Sequence, residues 1–127
     1  MSGVYAGDSW SYYGTMNLIG PPVCGNNVIN MSHSYSYCRN MVGSPVCGLN
    51  VIDMSYAYEG CNKLTGSPVC GNNVIYMSRA YYCCDNLTGA FIYSPNVINI
   101  SSTYTCCYNL IGSPICGNKV IDMSHTY

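Results

Sequence analysis

The chain has 127 residues, 49% of them hydrophobic, with four basic and five acidic side chains and a formal net charge of −1. Charged residues reach only 7%, against roughly 25% in ordinary domains, so no basic footprint exists for a phosphate backbone and nucleic acid is not an expected partner. No apolar run approaches the ~18 residues of a membrane span, and Met1-Ser2-Gly3-Val4 opens without the basic and apolar regions of a signal peptide.

Residues 1–15 read as a degenerate half repeat, because Ser9 and Tyr12 keep a register that Asp8 and Thr15 break. That stretch is expected to act as a cap or a socket. From residue 16 to 127 the register is strict. Gly20, Gly43, Gly66, Gly89 and Gly112 recur every 23 residues, which makes about five copies of one unit. Such a period marks a repeat array in which each unit buries its apolar face against its neighbours. The apolar columns are Leu18/Met41/Leu64/Leu87/Leu110, Val28/Val51/Val74/Val97/Val120, Ile29/Ile52/Ile75/Ile98/Ile121 and Met31/Met54/Met77/Ile100/Met123. Tyrosine fills Tyr12, Tyr35, Tyr58, Tyr81, Tyr104 and Tyr127, and cysteine fills Cys38, Cys61, Cys84 and Cys107.

Each unit has two halves. The first, Met41 through Cys47 in the second unit, carries a proline and a glycine and reads as a brief extended segment between turns. Phe91 replaces that proline in the fourth unit. In the second half, Val51, Met54, Tyr58 and Cys61 sit at i, i+3, i+7 and i+10, the spacing of one helical face. A short strand-like segment plus a helical segment is the layout of a leucine-rich-repeat rung. The expected fold is therefore a repeat solenoid of about five parallel rungs, stacked at about 4.8 Å.

Ten cysteines allow three readings: a disulfide framework, a zinc site, or stacked free thiols. Zinc requires closely spaced Cys or His pairs, whereas Cys83-Cys84 and Cys106-Cys107 are vicinal. The column arrangement, with Cys24, Cys47, Cys70 and Cys116 as a second stack, favours free thiols behaving as small buried hydrophobes. No metal or cofactor is expected. Catalysis has no constellation either. His33 and His125 share a column four rungs apart, ~19 Å, and Asp53 and Asp122 lie three rungs apart, ~14 Å, too far to act as a carboxylate pair. The asparagine columns Asn27/Asn50/Asn73/Asn96 and Asn17/Asn40/Asn86/Asn109 are expected to bond the backbone of a neighbouring coil.

Variation between units is concentrated just past the Met column and just past the Tyr column. It leans to Tyr, Ser and Thr, which make adaptable contact surfaces carrying few charges. This identifies a candidate binding face of His33, Tyr37, Tyr56, Glu59, Arg79, Tyr82 and His125. At the other extreme Val120, Ile121, Met123 and Tyr127 continue the core columns and form a candidate stacking end.

Leu64-Thr65-Gly66, then Asn73-Val74-Ile75-Tyr76-Met77-Ser78, Tyr81 and Cys84, with Asn50-Val51-Ile52-Asp53-Met54-Ser55 repeating the pattern, resemble the BspA-like leucine-rich repeats. The likeness is to the repeats of gut bacterial and mycoplasma surface proteins, and it covers about residues 16–127. It implies a non-enzymatic scaffold for adhesion, binding protein or glycan at a cell surface, outside the cell or on a virion. The alternative is a structural protein whose copies stack head to tail, as a filament or a particle component, through uncapped solenoid ends. A flat ice-binding face would need a regular Thr-x-Thr array, which is missing.

Overall fold

The structure, a computed structural model, describes residues 18–112 and 117–127. The half repeat assigned to 1–15 lies outside the described residues.

The segment expected to be helical is where the fold departs most from the sequence reading. Among the described residues there is no helix. In the second unit Ala57 N–H donates to Met54 O (3.0 Å), Glu59 N–H to Tyr56 O (3.3 Å) and Cys61 N–H to Tyr58 O (3.0 Å). The N–H groups between them leave the unit: Tyr56 donates to Ser78 O (2.9 Å), Tyr58 to Ala80 O (2.8 Å) and Gly60 to Tyr82 O (2.8 Å). An α-helix would return every N–H to the carbonyl four residues back. Here alternate donors close successive β-turns and the rest bridge to the next unit.

Two local features enforce this. Asn30, Asp53, Asn99 and Asp122 each accept, through Oδ1, the backbone N–H two residues on (2.7–3.0 Å), a side-chain turn that competes with helix. Left-handed backbone follows. His33, Tyr56, Arg79, Ser102 and His125 have φ between 53° and 60°, and Tyr37, Gly60, Cys83 and Cys106 between 56° and 72°. A positive φ at every fourth residue ends any right-handed helix, and it suits the third position of a type II turn.

The strand content is equally small. β1 (Gly89–Ala90) and β2 (Leu110–Ile111) pair in parallel, Gly89 opposite Leu110. Isolated parallel bridges join Asn30, Asp53, Tyr76, Asn99 and Asp122 in succession. The chain thus forms a largely irregular, turn-built fold, and the leucine-rich-repeat-like solenoid of strand-plus-helix rungs is corrected. The 23-residue spacing acts instead as the register of hydrogen bonds between irregular loops. On one wall each unit donates forward, and on the other each donates back: Ile52 N–H to Ile29 O (2.7 Å), Ile75 to Ile52 (2.8 Å), Ile98 to Ile75 (2.9 Å) and Ile121 to Ile98 (2.8 Å).

Between those walls lies the core. Tyr35, Tyr58, Tyr81 and Tyr104 are at most 1% exposed, with successive rings stacked 5.4–5.6 Å apart and within 8° of parallel. Each hydroxyl spans its own loop. Tyr58 accepts from Val46 N–H (3.0 Å) and donates to Val46 O (2.6 Å), and Tyr81 does the same at Val69 (3.1 and 2.6 Å). The Val and Met columns, as far as Val97 and Ile100, and Leu64 and Leu87 pack beside this stack. The isoleucine column faces outward instead, with Ile29 57% and Ile121 83% exposed. Extended backbone at Val28-Ile29 turns adjacent side chains to opposite sides.

Cys61, Cys84 and Cys107 are buried thiols that donate to Tyr35 O (2.9 Å), Tyr58 O (3.0 Å) and Tyr81 O (3.0 Å). Desolvation pushes Cys107 up to about 12 and Cys84 well above its usual value, and raises Tyr58 and Tyr81 well above theirs. The folded state therefore keeps protons that the unfolded chain loses from its ordinary thiol value upward. That stabilisation is complete below the unfolded value near 9.0 and declines until the folded value near 12 is reached. The thermal midpoint, followed by near-ultraviolet circular dichroism, should be level from pH 6 to 8 and should fall steadily from pH 9 to 12.

Candidate functional site

The turn apices gather most of the predicted binding residues on one side of the chain. His33 and Tyr56 stack at 4.5 Å with rings 10° from parallel. The Arg79 guanidinium continues that line, 5.7 Å from the Tyr56 ring and 4.2 Å from the Tyr82 ring. In the neighbouring apex column Tyr37 carries Arg39 at 5.6 Å. An ideal Cβ placed on Gly60 would meet Tyr37 Cδ1 at 2.6 Å. The Tyr37 ring therefore lies against the Gly60 backbone, in the space a Cβ would need.

Glu59 occupies a different place from the one expected. Its side chain is only 6% exposed, and Oε1 lies 3.2 Å from Arg79 Nη2. The Tyr37 hydroxyl also bonds to this carboxylate, and burial together with that carboxylate raises the Tyr37 hydroxyl above its ordinary value. Glu59 is thus an internal anchor for Tyr37 and Arg79 rather than a contact residue. Arg79 Nε is buried without a hydrogen-bond partner among the described residues. His125 is exposed in the His33 column but lies at the far end of it, away from the His33–Tyr56–Arg79 line.

A groove of about 390 Å³ runs beside the apices, with Tyr37, Arg39, Asn62, Tyr82, Asp85 and Tyr108 contributing to its lining. Aromatic faces, amide, carboxylate and guanidinium thus meet in one shallow cleft. Arg39, Asn62 and Tyr108 are site residues that the variation between units did not single out. Tyr108 is 79% exposed, as its column of Arg39, Asn62 and Asp85 would imply for any residue placed there.

The asparagine columns serve the backbone. Asn50, Asn73 and Asn96 donate through Nδ2 to the carbonyls of Asn26, Leu49 and Asn72 (2.8–3.0 Å), and Asn86 and Asn109 to Asn62 and Asp85 (2.6–2.7 Å). Lys63 and Lys119 replace asparagine in these columns and reach Oδ1 of Asn40 (3.3 Å) and Asn96 (2.7 Å). At the candidate stacking end Val120 is partly buried, while Ile121, Met123 and Tyr127 are 83%, 49% and 50% exposed.

No cluster of three or more His, Cys, Asp or Glu side chains suited to a metal occurs among the described residues. No helix among them is long and apolar enough to cross a membrane.

Left-handed backbone at a residue with a Cβ costs about 1–2 kcal/mol, and Ser102 accepts that cost with φ 55°. Glycine adopts this conformation freely but loses more entropy on folding. Ser102→Gly is expected to stabilise the fold by about 0.5–1 kcal/mol, measured by urea denaturation.

Comparison of the chain with protein-family models, with curated proteins and with solved structures finds no match in any of the three.

Proposed function

We propose that this chain is a non-enzymatic recognition module that binds a protein or glycan surface through the turn face built around His33, Tyr56, Arg79, Tyr37 and Tyr82. The observation that carries this reading is the packing of that face. Rings and guanidinium are held against one another by stacking at 4.5 Å and 4.2 Å and by the buried Glu59 anchor. Aromatic side chains fixed before binding lose little entropy when a ligand arrives, and their flat faces suit sugar rings and peptide planes. The groove beside them adds donors and acceptors for orientation. The BspA-like resemblance supports the same class of function.

The test is binding of the labelled full chain to arrayed glycans and immobilised surface proteins, repeated with Tyr82→Ala and with Ile29→Ser as a control. Tyr82→Ala should weaken any saturable binding at least tenfold while Ile29→Ser leaves it unchanged. Equal binding by the wild-type and Tyr82→Ala chains would remove the face from consideration.

A second reading, self-association of copies end to end, is favoured by the exposure of Ile121, Met123 and Tyr127. Sedimentation velocity decides it. The reading requires a mass that grows with concentration and that falls to the monomer value in Ile121→Lys.

A further inference from the structure

Cys83 and Cys106 occupy equivalent positions in consecutive units, 23 residues apart, and both stand at left-handed turn apices with φ of 56° and 67°. The backbone locks that register, since Cys83 N–H donates to Thr105 O at 2.9 Å. Tyr81 N–H donates to Thr103 O at 3.0 Å two residues earlier. Both side chains line the groove beside the recognition face, and the Cys106 thiol helps to hold the Cys83 proton. Units joined in parallel register set equivalent Cα atoms about 4.8 Å apart, inside the 4.4–6.8 Å range that a disulfide spans.

The other cysteines are disposed differently. Cys84 and Cys107, each adjacent in sequence to one of the pair, point into the core and are engaged with the Tyr58 and Tyr81 carbonyls. Cys47 and Cys70 also stack, but each thiol is turned toward the carbonyl of the following glycine at 3.6 Å.

We propose that Cys83 and Cys106 form a disulfide-exchange site, in which the two thiols close to an inter-unit disulfide at the expense of a low-molecular-weight disulfide. In the first step the Cys106 or Cys83 thiolate attacks one sulfur of the external disulfide. A mixed disulfide forms and one external thiolate leaves. The second cysteine then loses its proton and attacks the protein-bound sulfur, which expels the second external thiolate. Two protein thiols are oxidised, one disulfide is reduced to two thiols, and the two protons pass to solvent or to the leaving thiolates. The closed bond ties the third unit to the fourth along the edge of the groove. It joins residues across a loop of more than twenty residues, a length at which cross-links restrict the unfolded chain substantially.

The chemistry has a built-in pH dependence. Burial and the neighbouring Cys106 thiol push Cys83 up to about 11, so its thiolate is scarce at neutral pH and the step that uses it is slow.

The experiment incubates the full reduced chain with oxidised glutathione at pH 7.0, 8.0 and 9.0, quenches with N-ethylmaleimide and maps chymotryptic peptides by mass spectrometry. Cleavage at Tyr93 and Tyr104 separates the two cysteines. The expected product is a cross-linked pair of peptides carrying Cys83 and Cys106, formed severalfold faster per pH unit. It should be absent from Cys83→Ser and from Cys106→Ser, and it should raise the thermal midpoint by roughly 5–10 °C. Since Cys83 and Cys106 are both partly exposed, neither serine substitution removes a core contact. A chain that remains fully alkylated at every pH overturns the proposal. So does a cross-link that persists in Cys106→Ser, or one that maps to Cys47 and Cys70.

Discussion

Tyr81→Phe should cost about 2–4 kcal/mol of folding stability, an unusually large penalty for the loss of one oxygen atom. The Tyr81 ring would stay in its stack, 5.5 Å from Tyr58 and 5.6 Å from Tyr104. What disappears is the pair of bonds to Val69, where one hydroxyl both receives the N–H and donates to the carbonyl. Phenylalanine leaves both Val69 groups without that partner, and because Val69 is only partly buried each orphan costs about 1–2 kcal/mol, the low end of the range for buried groups. The hydroxyl spans the loop between its extended wall and its turn wall, so cooperativity should suffer as well. Urea denaturation followed by tyrosine fluorescence would measure the loss. A change below about 0.5 kcal/mol would mean that the hydroxyl does not brace the loop.

The second large effect concerns the anchor beneath the recognition face. Arg79→Met removes the cation from a Glu59 side chain that is only 6% exposed. Breaking a buried pair leaves an uncompensated charge and costs about 3–5 kcal/mol. Arg79 is itself 36% exposed, and solvent screening reduces the expected loss to about 1–3 kcal/mol. The double variant Glu59→Gln with Arg79→Met should recover most of that loss, because no buried charge remains. If Arg79→Met and the double variant were equally destabilised, the damage would come from lost stacking on Tyr56 and Tyr82 and not from stranded charge.

The period, the buried columns and the absence of a helix from the described residues are legible in the sequence to different degrees. Tyr35, Met54, Leu64 and Cys84 announce themselves as core because a fixed interval places each beside its own kind. The helix expectation failed for a geometric reason. Turns that repeat every four residues bring Met54 and Tyr58, and then Ala57 and Cys61, to the inside. A rule tuned to 3.6 residues reads that spacing as a helical face. The signals that separate the two were present: Asn30, Asp53, Asn99 and Asp122 each precede a serine by two residues, and Gly60 stands at a turn apex. Asx turns and a left-handed glycine belong to bends, not to helix interiors. Ile29 and Ile52 look as apolar as Val28 and Val51, and only the backbone path shows which side of the wall each one faces. Glu59 was placed on the candidate binding face because it falls just past the Tyr column, where the units vary. Its partner Arg79 lies one unit away, a pairing that could be read only once the loops were known to be in register.

The account depends most on how the 54–61 segment and its equivalents satisfy their backbone donors. The deciding measurement is long-range HNCO nuclear magnetic resonance on the isotopically labelled, reduced full chain, which detects the carbonyl bonded to each amide. The turn-built structure predicts correlations from Tyr35 N–H to Ala57, from Tyr58 N–H to Ala80 and from Tyr81 N–H to Thr103, together with coupling constants for positive φ at Tyr56 and Arg79. Correlations from each amide to the carbonyl four residues before it, with helical carbon shifts across 54–61, would contradict it.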